Sequence, residues 1–320
     1  VKLFPLIVML VGAYVAARWL IDRRLEWRAL TYVVLGVGLG LVINPYFPDN
    51  LLFILRHVGP KVADPTAVRV GNEWYPYDTT QLMEHSGPAL ALFMAGVLGL
   101  GLHNKRMSAN AATALLVATL FGVMLFKSRR FVEYWPAFAL IFGALAWSPV
   151  LQNWLDGKTV RTGLRRKELL AGVMIAGLAI GVFFNLGPSR ESLLNSKPYQ
   201  RYAGAATWLR DHTPQGSRVF QTDWDDFTRL FFYNTHNTYT LGLDPTYMQL
   251  HDAALFELWV DIGNGRIENP GAVIANEFDA AFAMTDLGHK DFLRQASADV
   301  SLKEVYRDQD AAVFQYIGNP

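Results

Sequence analysis

The chain has 320 residues, 52% of them hydrophobic, 13% aromatic and only 18% charged, against about 25% charged in an ordinary soluble domain. The charge is also split: residues 1–186 hold 18 basic and 10 acidic residues, a surplus of +8, whereas 187–320 hold 11 and 18, a net of −7. That asymmetry reads as a membrane half and a solvated half, with a lipid bilayer and no nucleic acid as partner. The absence of cysteine excludes a disulfide or a thiolate metal site.

Six segments approach the roughly 20 apolar residues of helix that a hydrocarbon core requires. They are Leu3–Leu20, Ala29–Ile43, Pro88–Leu102, Ala111–Phe126, Phe131–Trp147 and Leu169–Leu186. The chain begins with Val rather than Met, which fits the tail of something longer better than an unusual start codon translated literally. The basic flank Arg18, Arg23, Arg24 and Arg28 marks the first segment as a retained helix rather than a cleaved signal.

Orientation follows from Lys and Arg in the short loops. Arg23, Arg24 and Arg28, then Lys105 and Arg106, then Lys158, Arg161, Arg165, Arg166 and Lys167 share one face, which is the cytoplasmic one. The other face receives the long loop 44–87, the turn 127–130 and everything after the sixth segment. Residues 187–320 are therefore expected outside. The fold expected is an α-helical transmembrane bundle of about six helices followed by a small exported α/β domain.

Loop 44–87 is too long for a simple connector. A short amphipathic piece, Leu51–Val58, fits a helix lying in the interface, capped by Asp49 or Asn50. Beyond it, Glu73, Asp78, Glu84 and His85 are candidate polar contacts for a sugar or acceptor, and Trp74, Tyr75 and Tyr77 are candidate stacking faces. Aromatics at this depth equally form an interfacial belt.

The turn Lys127-Ser-Arg-Arg-Phe-Val-Glu-Tyr134 breaks the charge rule that the other loops obey. Lys127, Arg129 and Arg130 face outward, where they either snorkel to lipid phosphates or bind an anionic headgroup through bidentate guanidinium contacts. Glu133 and Tyr134 follow at once. A carboxylate there needs a partner, and Glu133 stands three or four residues after Arg129 and Arg130, close enough to pair with either.

The region 187–320 alternates helical and strand patterns. Tyr199–His212 reads as helix, Arg218–Gln221 as strand, Asp225–Tyr233 as helix, Thr238–Gly242 as strand and His251–Ile262 as helix. Ala280–Thr285 then reads as strand, Lys290–Gln295 as helix, and Lys303–Tyr306 with Ala312–Ile317 as a closing pair of strands. This is a three-layered α/β domain. Its densest polar stretch holds Asp223, Trp224, Asp225 and Asp226, followed by His236. The three Asp carboxylates suit a divalent cation such as Mg²⁺ or Mn²⁺, and suit helix caps and turns equally. No GxGxxG, GxxxxGK[ST] or GxSxG is present, which disfavours a nucleotide-fuelled enzyme or a serine hydrolase.

Taken in order, the apolar helices, the basic turn "SRRFVEYWPAFAL" and the block "YAGAATWLRDHTPQGSRVFQTDWDDF" resemble the C-terminal part of GT-C type integral-membrane glycosyltransferases. These include the family 39 enzymes and oligosaccharyltransferase catalytic subunits. The resemblance implies a sugar taken from a polyprenyl-phosphate carrier and passed to a glycan, lipid or protein acceptor on the outer face. It implies that Lys127, Arg129, Arg130, Glu133 and Tyr134 hold the carrier phosphate. Trp74, Tyr77, Asp78, Glu84, His85, Trp224, Asp225 and His236 would then face sugar or acceptor. The family's catalytic acid stands in a large outer loop after its first helix, whereas the first loop here is short and basic, so no catalytic residue is assigned. The reading from another class is a non-catalytic, membrane-anchored binding or assembly protein of the cell envelope.

Overall fold

The computed structural model describes residues 4–63, 72–102, 106–155 and 166–318. Lys105, Lys158, Arg161 and Arg165, the side chains of Arg166 and Lys167, and the stretch 64–71 of the long loop lie outside the described residues. The chain divides into two compact units, the first running to Glu191 and the second from Ser192.

The first unit is helical: α1 (Phe4–Asp22), α2 (Trp27–Val42), α3 (Asp49–Ala63), α4 (Thr79–Gly101), α5 (Ala109–Lys127), α6 (Trp135–Leu155) and α7 (Arg166–Leu194). Each expected span falls largely on one of these helices, the fifth losing residues 131–134 to a turn that precedes α6. Four are long and apolar enough to cross a membrane, over Pro5–Asp22, Ala109–Lys127, Trp135–Gln152 and Glu168–Leu194. The other two fall short for separate reasons. Helix α2 has only 16 residues, and the first turns of α4 carry Gln81, Glu84 and His85, which dilute its apolar run. Asp49 and Asn50 are not caps: both lie within α3, and the Asn50 side chain donates to the Leu41 carbonyl at 2.9 Å.

Helix α6 packs against α4 and α5, and α1 against α5 and α2. In lipid no hydrophobic force joins helices, so close approach over small residues does the work. Ala111, Ala112, Ala114 and Ala118 of α5 are buried accordingly. On α4, a Cβ placed at Gly99 would lie 2.8 Å from the Trp147 indole nitrogen, so glycine lets that indole lie against the α4 backbone. The same indole N–H donates to the Ala95 carbonyl at 2.8 Å. Along the α7 span no residue is buried, and Val173, Ile175, Leu178 and Phe183 stand exposed.

The second unit is built on a five-stranded sheet of order β2-β1-β3-β5-β4. Its strands are β1 (Arg218–Gln221), β2 (Thr238–Tyr239), β3 (Phe282–Asp286), β4 (Leu302–Arg307) and β5 (Ala311–Tyr316). β2, β1 and β3 run parallel, while β5 is antiparallel to β3 and pairs with β4. The helices are α8 (Ala203–His212), α9 (Phe227–Tyr233), α10 (Thr246–His251), α11 (Ala253–Gly263), α12 (Pro270–Phe278) and α13 (Lys290–Ala298). Side-chain alternation along the strands feeds two cores. Val219, Phe282, Met284 and Val313 pack with Ala205 and Leu209 of α8 and Leu230 of α9. Phe220, Ala283 and Phe314 pack on the other face with α11, α12 and α13 through Phe256, Ile274, Phe278 and Phe292. The expected three layers are present.

Several boundaries differ from expectation, among them that of α8, which begins at Ala203 rather than Tyr199. β2 is two residues long; beyond it Thr240 N still donates to the Val219 carbonyl at 3.0 Å, and the Gln221 side chain joins that edge, accepting from Thr240 N at 3.2 Å and donating to the Leu241 carbonyl. The helix expected from 225 begins at Phe227, because Asp226 turns into the interior without capping it. The helix expected over 251–262 is α11, which starts at Ala253 because the Asp252 side chain caps it by accepting from Leu255 N at 2.9 Å, and a separate helix, α10, precedes it. α12 stands where no element is expected. Its opening Asn-Pro-Gly reads as a turn, yet Pro270 occupies the first helical position, where a missing N–H costs nothing.

Candidate functional sites

In the first unit the site forms where the 72–78 segment meets the 128–133 turn. Ser128 takes an extended conformation and ends α5, and a single 3-10 turn, Arg129–Glu133, follows. Pro136 sits in the first turn of α6, where proline is tolerated. On the facing segment a 3-10 turn, Asn72–Trp74, leads to Asp78, whose side chain caps α4 by accepting from Gln81 N at 2.9 Å. The two segments are stitched residue by residue. The Ser128 hydroxyl donates to the Glu73 carbonyl at 3.0 Å. The Arg129 backbone N–H donates to the Tyr75 carbonyl at 3.0 Å. Its guanidinium donates to the Tyr75 and Pro76 carbonyls at 3.3 and 3.1 Å and lies 5.0 Å from the Tyr77 ring centroid. Arg130 pairs with the Glu73 carboxylate and lies 5.4 Å from the Trp74 ring centroid.

The partner expected for the arginines is therefore corrected. Glu133 is exposed and makes no ion pair among the described residues; Arg130 pairs instead with Glu73, and Arg129 donates to the Tyr75 and Pro76 carbonyls. Tyr134 stacks on Phe121, with centroids 5.4 Å apart, and Lys127 ends α5. Of the aromatic and polar candidates nearby, Trp74 and Tyr77 lie against the two arginines. Tyr77 also faces His85, with centroids 5.2 Å apart. Asp78 is occupied as a cap, and Glu84 is exposed.

In the second unit the polar groups gather beyond the carboxyl ends of β1 and β3, where α/β sheets usually place sites. The two strand ends are tied by Thr222 and Thr285, whose hydroxyls are 2.8 Å apart. Asp286 is the hub: its carboxylate meets His289 Nδ1 at 2.8 Å and the Arg201 guanidinium at 3.4 Å, and accepts from the Gly288 and His289 N–H groups. The hydrogen bond from His289, with its charge and those backbone donors, holds Asp286 down at about 2. The same partner raises His289. Asp226, only 2% exposed, is pushed up to about 7 by burial and then by the charge of Asp223. Burial likewise raises Tyr202, which is fully enclosed and holds a left-handed φ of 69°. Such a conformation in a bulky residue persists only where its surroundings enforce it.

A cleft of about 250 Å³ opens beside this cluster, lined by Asp223, Trp224, Trp259, Asn264 and His289 among others. A second, more open groove is lined by Trp224, Asp225, Thr228, Arg229 and Leu243, so Trp224 borders both. His236 is elsewhere, its Nε2 2.8 Å from the Thr213 carbonyl in a loop stitched by Asn234 and Asn237. Asp223, Asp225 and Asp226 do not converge on one point. Asp223 Oδ1 accepts from Asp225 N at 3.2 Å, Asp226 is buried away, and the described residues hold no group of three His, Cys, Asp or Glu arranged for a metal.

No protein-family model matches the chain. Over 200 residues, 59% of this chain and 23% of the relative, it is 26% identical to dolichyl-phosphooligosaccharide-protein glycotransferase 3 of Archaeoglobus fulgidus. Over that portion the chain is homologous to an archaeal oligosaccharyltransferase. It spans about a quarter of that relative's length. Among solved structures, the archaeal oligosaccharyltransferase AglB of A. fulgidus, in complex with an inhibitory peptide and a dolichol-phosphate, aligns with a TM-score of 0.46 at 19% identity, covering 86% of this chain and 36% of that one. An A. fulgidus oligosaccharyltransferase in the apo form aligns with a TM-score of 0.45 at 20% identity, covering 82% and 34%.

Sequence reasoning passes over Arg201, Tyr202, Asp286 and His289. A signal for two of them exists. Asp286-Leu-Gly-His289 directly follows β3, and the rule that sites follow strand ends applies there as well as after β1. Arg201 and Tyr202 precede a helix and carry no such mark.

Proposed function

We propose that this chain is part of a membrane glycosyltransferase that takes a sugar from a polyprenyl-phosphate-linked donor and passes it to an acceptor on the outer face of the membrane. The observation that carries this reading is the 200-residue match to an enzyme whose name specifies a dolichyl-phosphooligosaccharide donor and a protein acceptor. The four apolar helices agree with a lipid-borne donor. The turn 128–133 offers guanidinium groups at the end of one of them, which is the chemistry a phosphate requires. In this reading the second unit lies on the outer face, and the clefts beside Trp224 receive the acceptor.

Photo-crosslinking tests the donor site. A diazirine-bearing polyprenyl phosphate is incorporated into membranes containing the protein, and the labelled peptides are identified by mass spectrometry. Labelling of the peptide that carries Arg129 and Arg130, competed by unmodified polyprenyl phosphate, is expected. Labelling confined to the uncovered α7 surface, as any lipid would give, would sink the reading.

A further inference from the structure

Arg129 and Arg130 are adjacent and chemically identical, yet the structure gives them different work. Arg129 makes three hydrogen bonds to the main chain of the facing segment, one from its backbone and two from its guanidinium. An anion that took those guanidinium donors would leave the Tyr75 and Pro76 carbonyls without them, and an unmade backbone bond is costly. Arg130 makes no such commitment. Its partner is the side chain of Glu73, and that carboxylate is 53% exposed. Exchanging one exposed anionic partner for another costs little, since exposed ion pairs are weak. The guanidinium also lies over Trp74, a support that an incoming anion leaves intact.

Resting on the donor reading above, we infer that Glu73 is a resident counter-ion that occupies the phosphate position on Arg130 until the donor displaces it. Arg130 is the phosphate ligand, and Arg129 is a positioning residue that holds the 73–77 segment against the turn. Three features converge on this. Glu73 is tethered by its own carbonyl to Ser128, so its backbone stays in place when its carboxylate swings away. The Glu73 side chain is the acidic group paired with Arg130 among the described residues. The carboxylate expected to orient the arginines, Glu133, makes no ion pair among them.

The test uses the full chain in detergent, titrated calorimetrically with farnesyl monophosphate and, in parallel, with inorganic phosphate. Glu73→Gln is expected to tighten farnesyl phosphate binding by roughly 1.5- to 5-fold, the worth of an exposed ion pair. Arg130→Ala is expected to lose most of the affinity, and Glu73→Gln added to Arg130→Ala is expected to gain nothing. A general charge effect of removing Glu73 would persist in that background, and its persistence would overturn the inference. Hydrogen exchange over residues 72–78 separates the arginines: Arg129→Ala is expected to accelerate it at least tenfold, and Arg130→Ala to leave it near wild type. Equal acceleration by both, or unchanged or weaker farnesyl phosphate binding in Glu73→Gln, would refute the division of labour while leaving the donor reading standing. Equal affinity for farnesyl phosphate and inorganic phosphate assigns the site to free phosphate, and no binding of either by the wild-type chain removes the donor reading and this inference together.

Discussion

Asp226→Asn should make the second unit more stable at alkaline pH and flatten its pH dependence. Asp226 is 2% exposed, and burial with the charge of Asp223 lifts it to about 7. Unfolded, it titrates near the ordinary value of 3.8. Between those two values the folded state holds more protons than the unfolded one, so stability falls as pH rises. The full penalty above pH 7 is about 4 kcal/mol, and the part that develops between pH 5 and pH 8 is about 2.5 kcal/mol. Asp286 adds no slope in that window, because its lowered value of about 2 makes its contribution complete above the unfolded pKa. His289, which is raised, adds a slope of the same sign, present at low pH and lost as pH rises through its folded value. Amide exchange of Phe282–Asp286 in the full chain, corrected for the intrinsic pH dependence of exchange, reads the opening free energy of this sheet. The wild-type value should drop by at least about 2 kcal/mol from pH 5 to pH 8. Asp226→Asn should retain only the slope of His289. A wild-type value that rises with pH, or a variant with the wild-type slope, would refute the assignment of a neutral carboxyl to this position.

Two further substitutions probe the packing. Gly99→Ala places a Cβ 2.8 Å from the Trp147 indole nitrogen and should cost about 1–3 kcal/mol by overpacking. It should lower the thermal transition in detergent, whereas Gly101→Ala, which meets nothing within 4 Å, should not. Asp252→Ala removes the cap of α11 and should destabilise the second unit by about 1 kcal/mol, read by the same exchange measurement. Retention of full stability there would mean that the break between α10 and α11 is held by something other than the cap.

The sequence carries the apolar helices and the strand pattern well because both rest on local periodicity. The basic turn is legible because charge in a short loop needs no tertiary information. What Arg129 and Arg130 touch is not legible. Their partners, Tyr75, Pro76 and Glu73, lie more than fifty residues away in sequence. Local i,i+3 spacing suggests Glu133 and carries no information about a segment that distant. In the second unit the Asp run after β1 is visible as a run, but which carboxylate goes inward is a matter of packing. Asp226 enters the core beside Tyr202, while Asp225 stays at the rim of the open groove. The cluster also needs Asp286 and His289, which reach it through parallel pairing of β1 with β3, a contact of long sequence separation.

Transfer of sugar from a lipid phosphate can be followed directly in a transfer assay. Membranes from cells expressing the protein from its complete native reading frame are supplied with a radiolabelled polyprenyl-phosphate-linked sugar, and label leaving the lipid fraction is followed. The account predicts that label moves to a lipid-free or newly modified acceptor, and that Arg130→Ala reduces this at least tenfold at limiting donor. Label that stays on the carrier with the wild-type protein, or moves equally well with Arg130→Ala, would contradict it.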